Sequence, residues 1–345
     1  KSSEEVQQVR KIYKEHYGKD LDSELKSELS GKDLNRAQAL MKGDTVAATA
    51  TALRQAMGGL GTDEKAIFSA LDGTTAKERE QISKEYQKQT GRTLQSDLKS
   101  DLSKSDLDRA NALMKGDKAK AAAAEIKQAM SGIGTDENAI MKTLESKNKD
   151  ERQAIVDNYK KLYGKDLNAS LSSELSGAEL TQARALLKGD TAKASAAQLR
   201  NAMAGMGTDE SAINSVLEGK SQEERAKISE AYRQTYGTDL KKALGGELSG
   251  NDLEKANSLL AKGKLSSVQE LKFAMEGMGT DEAAVKRALE GKSKQEIAQI
   301  KVDYQKQTGR DLNADLGSEL TGRDLFDTNQ ALKGKPTTLR EGLDR

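Results

Sequence analysis

The chain predicts an all-α fold, and three observations carry that prediction. Apolar residues recur at helical spacing, and no stretch sustains the two-residue alternation of β-branched side chains that marks a strand. One proline in 345 residues, Pro336, leaves long helices uninterrupted. The same string also returns at a fixed interval: MGGLGTDE from Met57, MSGIGTDE from Met130, MAGMGTDE from Met203 and MEGMGTDE from Met275, in steps of 73, 73 and 72 residues.

The elements of a unit follow in order. Leu53, Ala56 and Met57 form the apolar face of a helix that runs into the glycine loop. Ala66, Ile67, Ala70 and Leu71 give the next helix, and Ile82 and Tyr86 a third. Segments around 94–102 and 107–113 supply two more, with Gly, Ser, Thr and Asp at the joints. A second string holds a constant offset: GRTLQSDLKSDLS from Gly91, GKDLNASLSSELS from Gly164, GTDLKKALGGELS from Gly237 and GRDLNADLGSELT from Gly309. A third closes the unit, as in RANALMKGD from Arg109 and QARALLKGD from Gln182.

Residues 18–44 align with 91–117 at the same offset of 73, yet no glycine loop precedes them. The chain therefore reads as a half unit (1–44), four full units (45–117, 118–190, 191–263 and 264–335) and a tail (336–345), cut from a longer parent. The start, KSSEEVQQVR, has neither a Met nor the apolar stretch of a signal peptide.

Composition removes several functions. With 56 basic and 55 acidic residues there is no polybasic grip for nucleic acid, and none is expected as a partner. No cysteine and one histidine, His16, leave no disulfide, no thiolate, no Ser-His-Asp triad and no multi-histidine metal site. No window approaches 18 consecutive apolar residues. Nothing offers a nucleophile–base pair, so the chain reads as a non-enzyme. With 3 Phe and no Trp, the core must come from Leu, Ile and Ala, with the tyrosines that recur before the mid-unit glycine. His16 reads as an ordinary helix-end residue, KERE from Lys77 as a solvated face, and the alanine-rich runs from Ala47 and Ala119 as helical connectors.

The loop itself has two readings. As punctuation, Gly59 is a left-handed C-terminal cap, Thr62 caps the next helix, and Asp63 and Glu64 sit in its first turn. That reading leaves a carboxylate unexplained. An acidic residue recurs 40 positions after the second glycine: Asp101, Glu174, Glu247 and Glu319. Carbonyls of a tight glycine turn, one bidentate carboxylate and waters supply the six to eight oxygens that Ca²⁺ prefers. With no nitrogen or sulfur ligand at hand, a hard cation is the metal that fits.

This combination resembles the annexin repeat. The resemblance implies a slightly curved disc of five-helix repeats that binds Ca²⁺ and docks on anionic phospholipid membranes. By position it implies as ligands the carbonyls of Met57, Gly59 and Gly61 with Asp101; Met130, Gly132 and Gly134 with Glu174; Met203, Gly205 and Gly207 with Glu247; and Met275, Gly277 and Gly279 with Glu319. Minor sites would pair Thr62 with Glu64, Thr135 with Glu137, Thr208 with Glu210, and Thr280 with Glu282. The expected location is cytoplasmic, peripheral on membranes when calcium rises, with a secreted or cell-surface location as the alternative.

Between the glycines stand Leu60, Ile133, Met206 and Met278. Each either dips into the membrane interface, worth about 1–2 kcal/mol, or packs back on the helix cap. Departures from the family pattern single out the first full unit. Asp101 is shorter than the Glu of the other copies and Lys104 replaces a glycine, so its site should be the weakest. An arginine common in the family is Thr74, Lys147, Lys220 or Lys292 here, which removes an expected buried ion pair. In the half unit, Glu28 holds the carboxylate position without a loop, and its apolar surface could recruit a second chain. The competing class is a helical scaffold that binds another protein, with the glycine loops acting only as caps.

Overall fold

A computed structural model describes residues 3–59, 61–132, 134–205, 207–276 and 279–335, and these form 23 α-helices without a strand. The half unit contributes α1 (Ser3–Tyr17), α2 (Leu21–Glu28) and α3 (Gly31–Met41). The first full unit holds α4 (Thr45–Ala56), α5 (Glu64–Leu71), α6 (Ala76–Thr90), α7 (Leu94–Asp101) and α8 (Lys104–Lys115). The second repeats the pattern with α9 (Lys118–Ala129), α10 (Glu137–Glu145), α11 (Lys149–Tyr163), α12 (Leu167–Glu174) and α13 (Gly177–Lys188). The third comprises α14 (Thr191–Ala202), α15 (Glu210–Leu217), α16 (Gln222–Tyr236), α17 (Leu240–Glu247) and α18 (Gly250–Lys262). The fourth comprises α19 (Ser267–Ala274), α20 (Glu282–Leu289), α21 (Lys294–Thr308), α22 (Leu312–Glu319) and α23 (Gly322–Ala331).

Local signals set the helix ends. Each third helix of a full unit starts in a capping box, Thr75 with Glu78, Asn148 with Glu151, Ser221 with Glu224 and Ser293 with Glu296. Each stops at a left-handed glycine, with φ of 74°, 68°, 72° and 73° at Gly91, Gly164, Gly237 and Gly309. The half unit matches the last three helices of a full one, so it lacks the two that flank a glycine loop.

The chain divides into two compact bodies, residues 1–190 and 191–345. In the first, α4 packs on α3 and α6, and α9 packs on α8 and α11. Leu53, Ile67, Leu71, Ile82, Tyr86, Leu94 and Leu98 fill the core of the first full unit, and Ile126, Ile140, Leu144, Ile155 and Tyr159 that of the second. In the second body, Leu199, Ile213, Leu217 and Tyr232 form one cluster, and Leu271, Val285, Leu289, Ile300 and Tyr304 another.

The alanine-rich runs are not connectors. They are the bodies of α4 and α9, with Ala50, Ala123 and Ala124 fully buried, because small side chains let helices approach closely. Tyrosine is core at Tyr86, Tyr159, Tyr232 and Tyr304, whereas Tyr17 of the half unit is 62% exposed. Val9, Ile12 and Leu40 of the half unit are exposed with it. The buried cation comes from the third helix: Arg152 donates to the Leu144 carbonyl, and Arg225 to those of Leu260 and Ala261.

Candidate calcium loops

Each glycine loop joins the first and second helices of a unit and is pinched shut by one backbone bond. The Asp63 amide donates to the Ala56 carbonyl (2.8 Å), and Asp136, Asp209 and Asp281 do the same to Ala129, Ala202 and Ala274. The aspartate then caps the second helix, its side chain accepting from the amides of Ala66, Ala139, Ala212 and Ala284. This corrects the expectation for Thr62, which is not the cap. It also moves the left-handed residue: Gly61, Gly134, Gly207 and Gly279 have φ between 91° and 102°, while Gly59 lies outside that region and the C-cap is Met57. Gly132 and Gly205 do adopt positive φ, 117° and 100°, so the first loop differs from the second and third in its backbone.

Relieved of capping, the threonine reaches the distant carboxylate. The Thr135 hydroxyl lies 3.3 Å from Glu174 Oε2 and donates to it, and Thr280 does so to Glu319 Oε2 at 2.9 Å. The fold thus brings loop and carboxylate together across 39 residues. In the first unit the Thr62 hydroxyl donates instead to the Asp101 main-chain carbonyl (3.3 Å), and the Asp101 carboxylate takes the hydroxyl of Ser100 (2.6 Å). Among the described residues no hydrogen bond joins Thr208 to Glu247.

The carboxylates end short helices: Asp101 is the last residue of α7, Glu174 of α12, Glu247 of α17 and Glu319 of α22. A negative charge at the negative end of a helix dipole is unfavourable, so helix stability does not explain its return in every unit. The oxygens opposite are unclaimed. Among the described residues no hydrogen bond ends on the carbonyls of Met57, Gly59, Gly61, Met130, Gly132, Gly134, Met203, Gly205, Gly207, Met275 or Gly279. One carboxylate with several orphan carbonyls is an all-oxygen donor set, which fits Ca²⁺ and not a softer ion. Among the described residues no group of three or more His, Cys, Asp or Glu gathers as a metal site.

Glu64, Glu137, Glu210 and Glu282 open the second helices, where the dipole already favours them. In the second unit a further carboxylate approaches: burial first, and then the Glu137 charge, push the Glu179 carboxyl up. Leu60, Ile133, Met206, Gly277 and Met278 lie outside the described residues, as does the tail 336–345.

Three features escaped the sequence. Lys104 does not share the left-handed φ of Gly31, Gly177, Gly250 and Gly322, between 51° and 56°, which disfavours a side chain, and the preceding cap shifts: Ser103 has φ −63° where Ser176 has −135°. Lys32 of α3 reaches the first loop. Glu276 of the fourth loop carries a buried Oε2 without a hydrogen-bond partner among the described residues. The signal for Glu276 was the variable residue after the methionine, which is Gly58, Ser131, Ala204 or Glu276.

Comparison with known proteins finds relatives of the chain. A family model described as Annexin matches residues 1–35, 48–106, 121–179, 194–257 and 266–324. The chain is 32% identical to Annexin A13 of Homo sapiens over 285 residues, 78% of this chain and 90% of that protein. It is 33% identical to Annexin A4 of Mus musculus over 71% of this chain and 81% of the relative. The solved structure of annexin III is 26% identical and aligns over 84% of this chain and 94% of that one, at a TM-score of 0.30. No described helix is long and apolar enough to cross a membrane.

Proposed function

The chain belongs to the annexin family, known for calcium-dependent phospholipid binding and generally non-enzymatic, and from that premise we propose that it binds anionic phospholipid membranes through its own glycine loops. The observation that carries this reading is the contact of Thr135 with Glu174 and of Thr280 with Glu319, which gathers loop and carboxylate at one place. The carbonyls of Met130, Gly132 and Gly134 with Glu174 would hold one Ca²⁺. Met203, Gly205 and Gly207 with Glu247, and Met275, Gly277 and Gly279 with Glu319, would hold two more, while Met57, Gly59 and Gly61 with Asp101 form the weakest set. A bound Ca²⁺ supplies the bridge between these protein oxygens and a lipid phosphate.

The chain's own groups make such binding reversible. Without the ion, exposed Glu174, Glu247 and Glu319 face the lipid phosphates with like charge and repel them. No basic patch is needed, in keeping with a net charge of +1. Thr62 with Glu64, Thr135 with Glu137, Thr208 with Glu210 and Thr280 with Glu282 serve as minor sites, of which the second is favoured by the neighbouring Glu179. Leu60, Ile133, Met206 and Met278 add apolar contact with the interface. Glu28 binds no ion unless a preceding segment or a second chain supplies the loop carbonyls, and the exposed face of the half unit serves self-association. In the cell the protein is cytoplasmic and peripheral on membranes as calcium rises.

A scaffold whose loops are mere caps would need the capping aspartates but not the threonine–glutamate contacts. Co-sedimentation with phosphatidylserine or phosphatidylcholine vesicles, in Ca²⁺ and then in chelator, tests the reading. Pelleting is expected only with Ca²⁺ and the anionic lipid. No pelleting at saturating Ca²⁺ would remove membrane docking as the function.

A further inference from the structure

The first loop is preceded by a charge that the other three loops are not given. Lys32, the second residue of α3, is half-buried and points its Nζ at the Gly58 carbonyl, 3.4 Å away. A methyl group added at Gly58 would lie 2.5 Å from that Nζ and 2.7 Å from the Arg54 carbonyl oxygen. Gly58 is thus the one position of the loop where lack of a side chain makes room for the ammonium. The residues in the place of Lys32 are Ser105 in α8, Ala178 in α13 and Asn251 in α18; those in the place of Gly58 are Ser131, Ala204 and Glu276. Glycine and lysine occur together, in the first loop alone. The dipole of α3 itself does not favour this lysine, because a cation in the first turn faces its positive end; the charge is placed instead just past the C-terminal end of α4, where the first loop begins.

We propose that Lys32 is a tethered cation that stands against the first glycine loop at the Gly58 carbonyl, beside the carbonyls assigned to Ca²⁺, so that this loop fills only when calcium overcomes that charge and moves the ammonium away. The proposal rests on the calcium-loop reading above and specifies it for one loop. Two further features agree with it. The Asp101 carboxylate is engaged by Ser100 instead of by Thr62, and Gly59 lacks the positive φ of Gly132 and Gly205. Gly58 and the loop carbonyls are consecutive on one tight turn. An ammonium there repels an incoming divalent ion, in a wet setting where such repulsion is modest and sensitive to salt.

The test isolates the first loop by changing Glu174, Glu247 and Glu319 to Gln, then compares Lys32→Gln and Lys32→Arg on that background. Calcium affinity is read by equilibrium dialysis, and folding is checked by the thermal midpoint in chelator. Lys32→Gln is expected to tighten calcium about tenfold at low ionic strength, with the gain shrinking in salt, and Lys32→Arg to leave it unchanged. A second measurement uses the unaltered chain: the rate of Lys32 acylation by an amine-reactive reagent should rise as calcium is titrated in. An unchanged affinity in Lys32→Gln, an equal gain in Lys32→Arg, or a calcium-independent acylation rate would overturn the proposal. If the unaltered chain binds calcium at three loops while those results hold, only the Lys32 assignment falls. If it binds none, the calcium-loop reading falls first.

Discussion

The first and second glycine loops sit in the same body of the molecule and share the string Met-x-Gly-x-Gly-Thr-Asp-Glu, yet they are wired differently. In the second, Thr135 holds Glu174 and both described glycines have positive φ. In the first, Thr62 meets a main-chain carbonyl, Asp101 turns to Ser100, and a lysine from the preceding half unit leans on Gly58. The lesson is that the motif specifies a loop, and its neighbours decide what that loop can hold. One carbon at position 101, one missing glycine at 104 and one lysine at 32 are enough to separate two copies.

The largest effect should come from the carboxylates. Glu174→Gln is expected to weaken calcium at the second loop by about a hundredfold, since charge count sets affinity in such sites, whereas Asp101→Asn should change total binding less than about threefold. Isothermal titration of both variants would erase the contrast if they behaved alike. Next in size is the threonine. Losing its hydrogen bond in Thr135→Val should loosen Glu174 and lower affinity about fivefold, from about 1 kcal/mol, while Thr62→Val leaves calcium binding as it was. A matching loss in Thr62→Val would mean that the two threonines play one role.

A smaller gain is expected from repair of the first unit. The double change Asp101→Glu with Lys104→Gly restores both the longer carboxylate and a residue able to take positive φ, and should strengthen the first site about threefold. A crystal structure in calcium would then show whether the position-101 carboxylate has moved to Thr62. The least effect concerns the scaffold beneath the loop. The Glu78 carboxyl lies below its ordinary value of 4.5 because the Thr75 backbone amide, and then its hydroxyl, bond it. A carboxyl lowered by folding stabilises above its unfolded value, and that share is lost as pH falls through the folded one. Glu78→Gln should therefore flatten the acid limb of the thermal midpoint while leaving calcium binding intact.

Not all of the molecule's electrostatics bears on this contrast. The Tyr304 hydroxyl is pushed up to about 12 by burial and by the Asp315 carboxylate it meets at 2.6 Å, deep in the core of the fourth unit. Its counterpart Tyr232 has a buried hydroxyl with no partner among the described residues, as Ala243 stands where Asp315 would.

Helices, their ends and their repetition could be read from residues a few positions apart. Apolar spacing gave Ile67 and Leu71 their face, and Gly91 stopped α6, because periodicity and capping act within a turn or two of the chain. The carboxylate at a constant distance was equally plain, since a fixed offset survives whatever the path between its ends. Local rules failed where two neighbouring residues could serve one purpose: Asp63 and Thr62 can both cap a helix, and only the folded loop left the threonine free for another task. The contacts that tell one loop from the next were out of reach altogether. Lys32 touches Gly58 because α3 lies along α4, and Thr135 touches Glu174 because α12 ends beside the loop. Packing sets these contacts across 26 and 39 residues, where no local preference of the backbone extends.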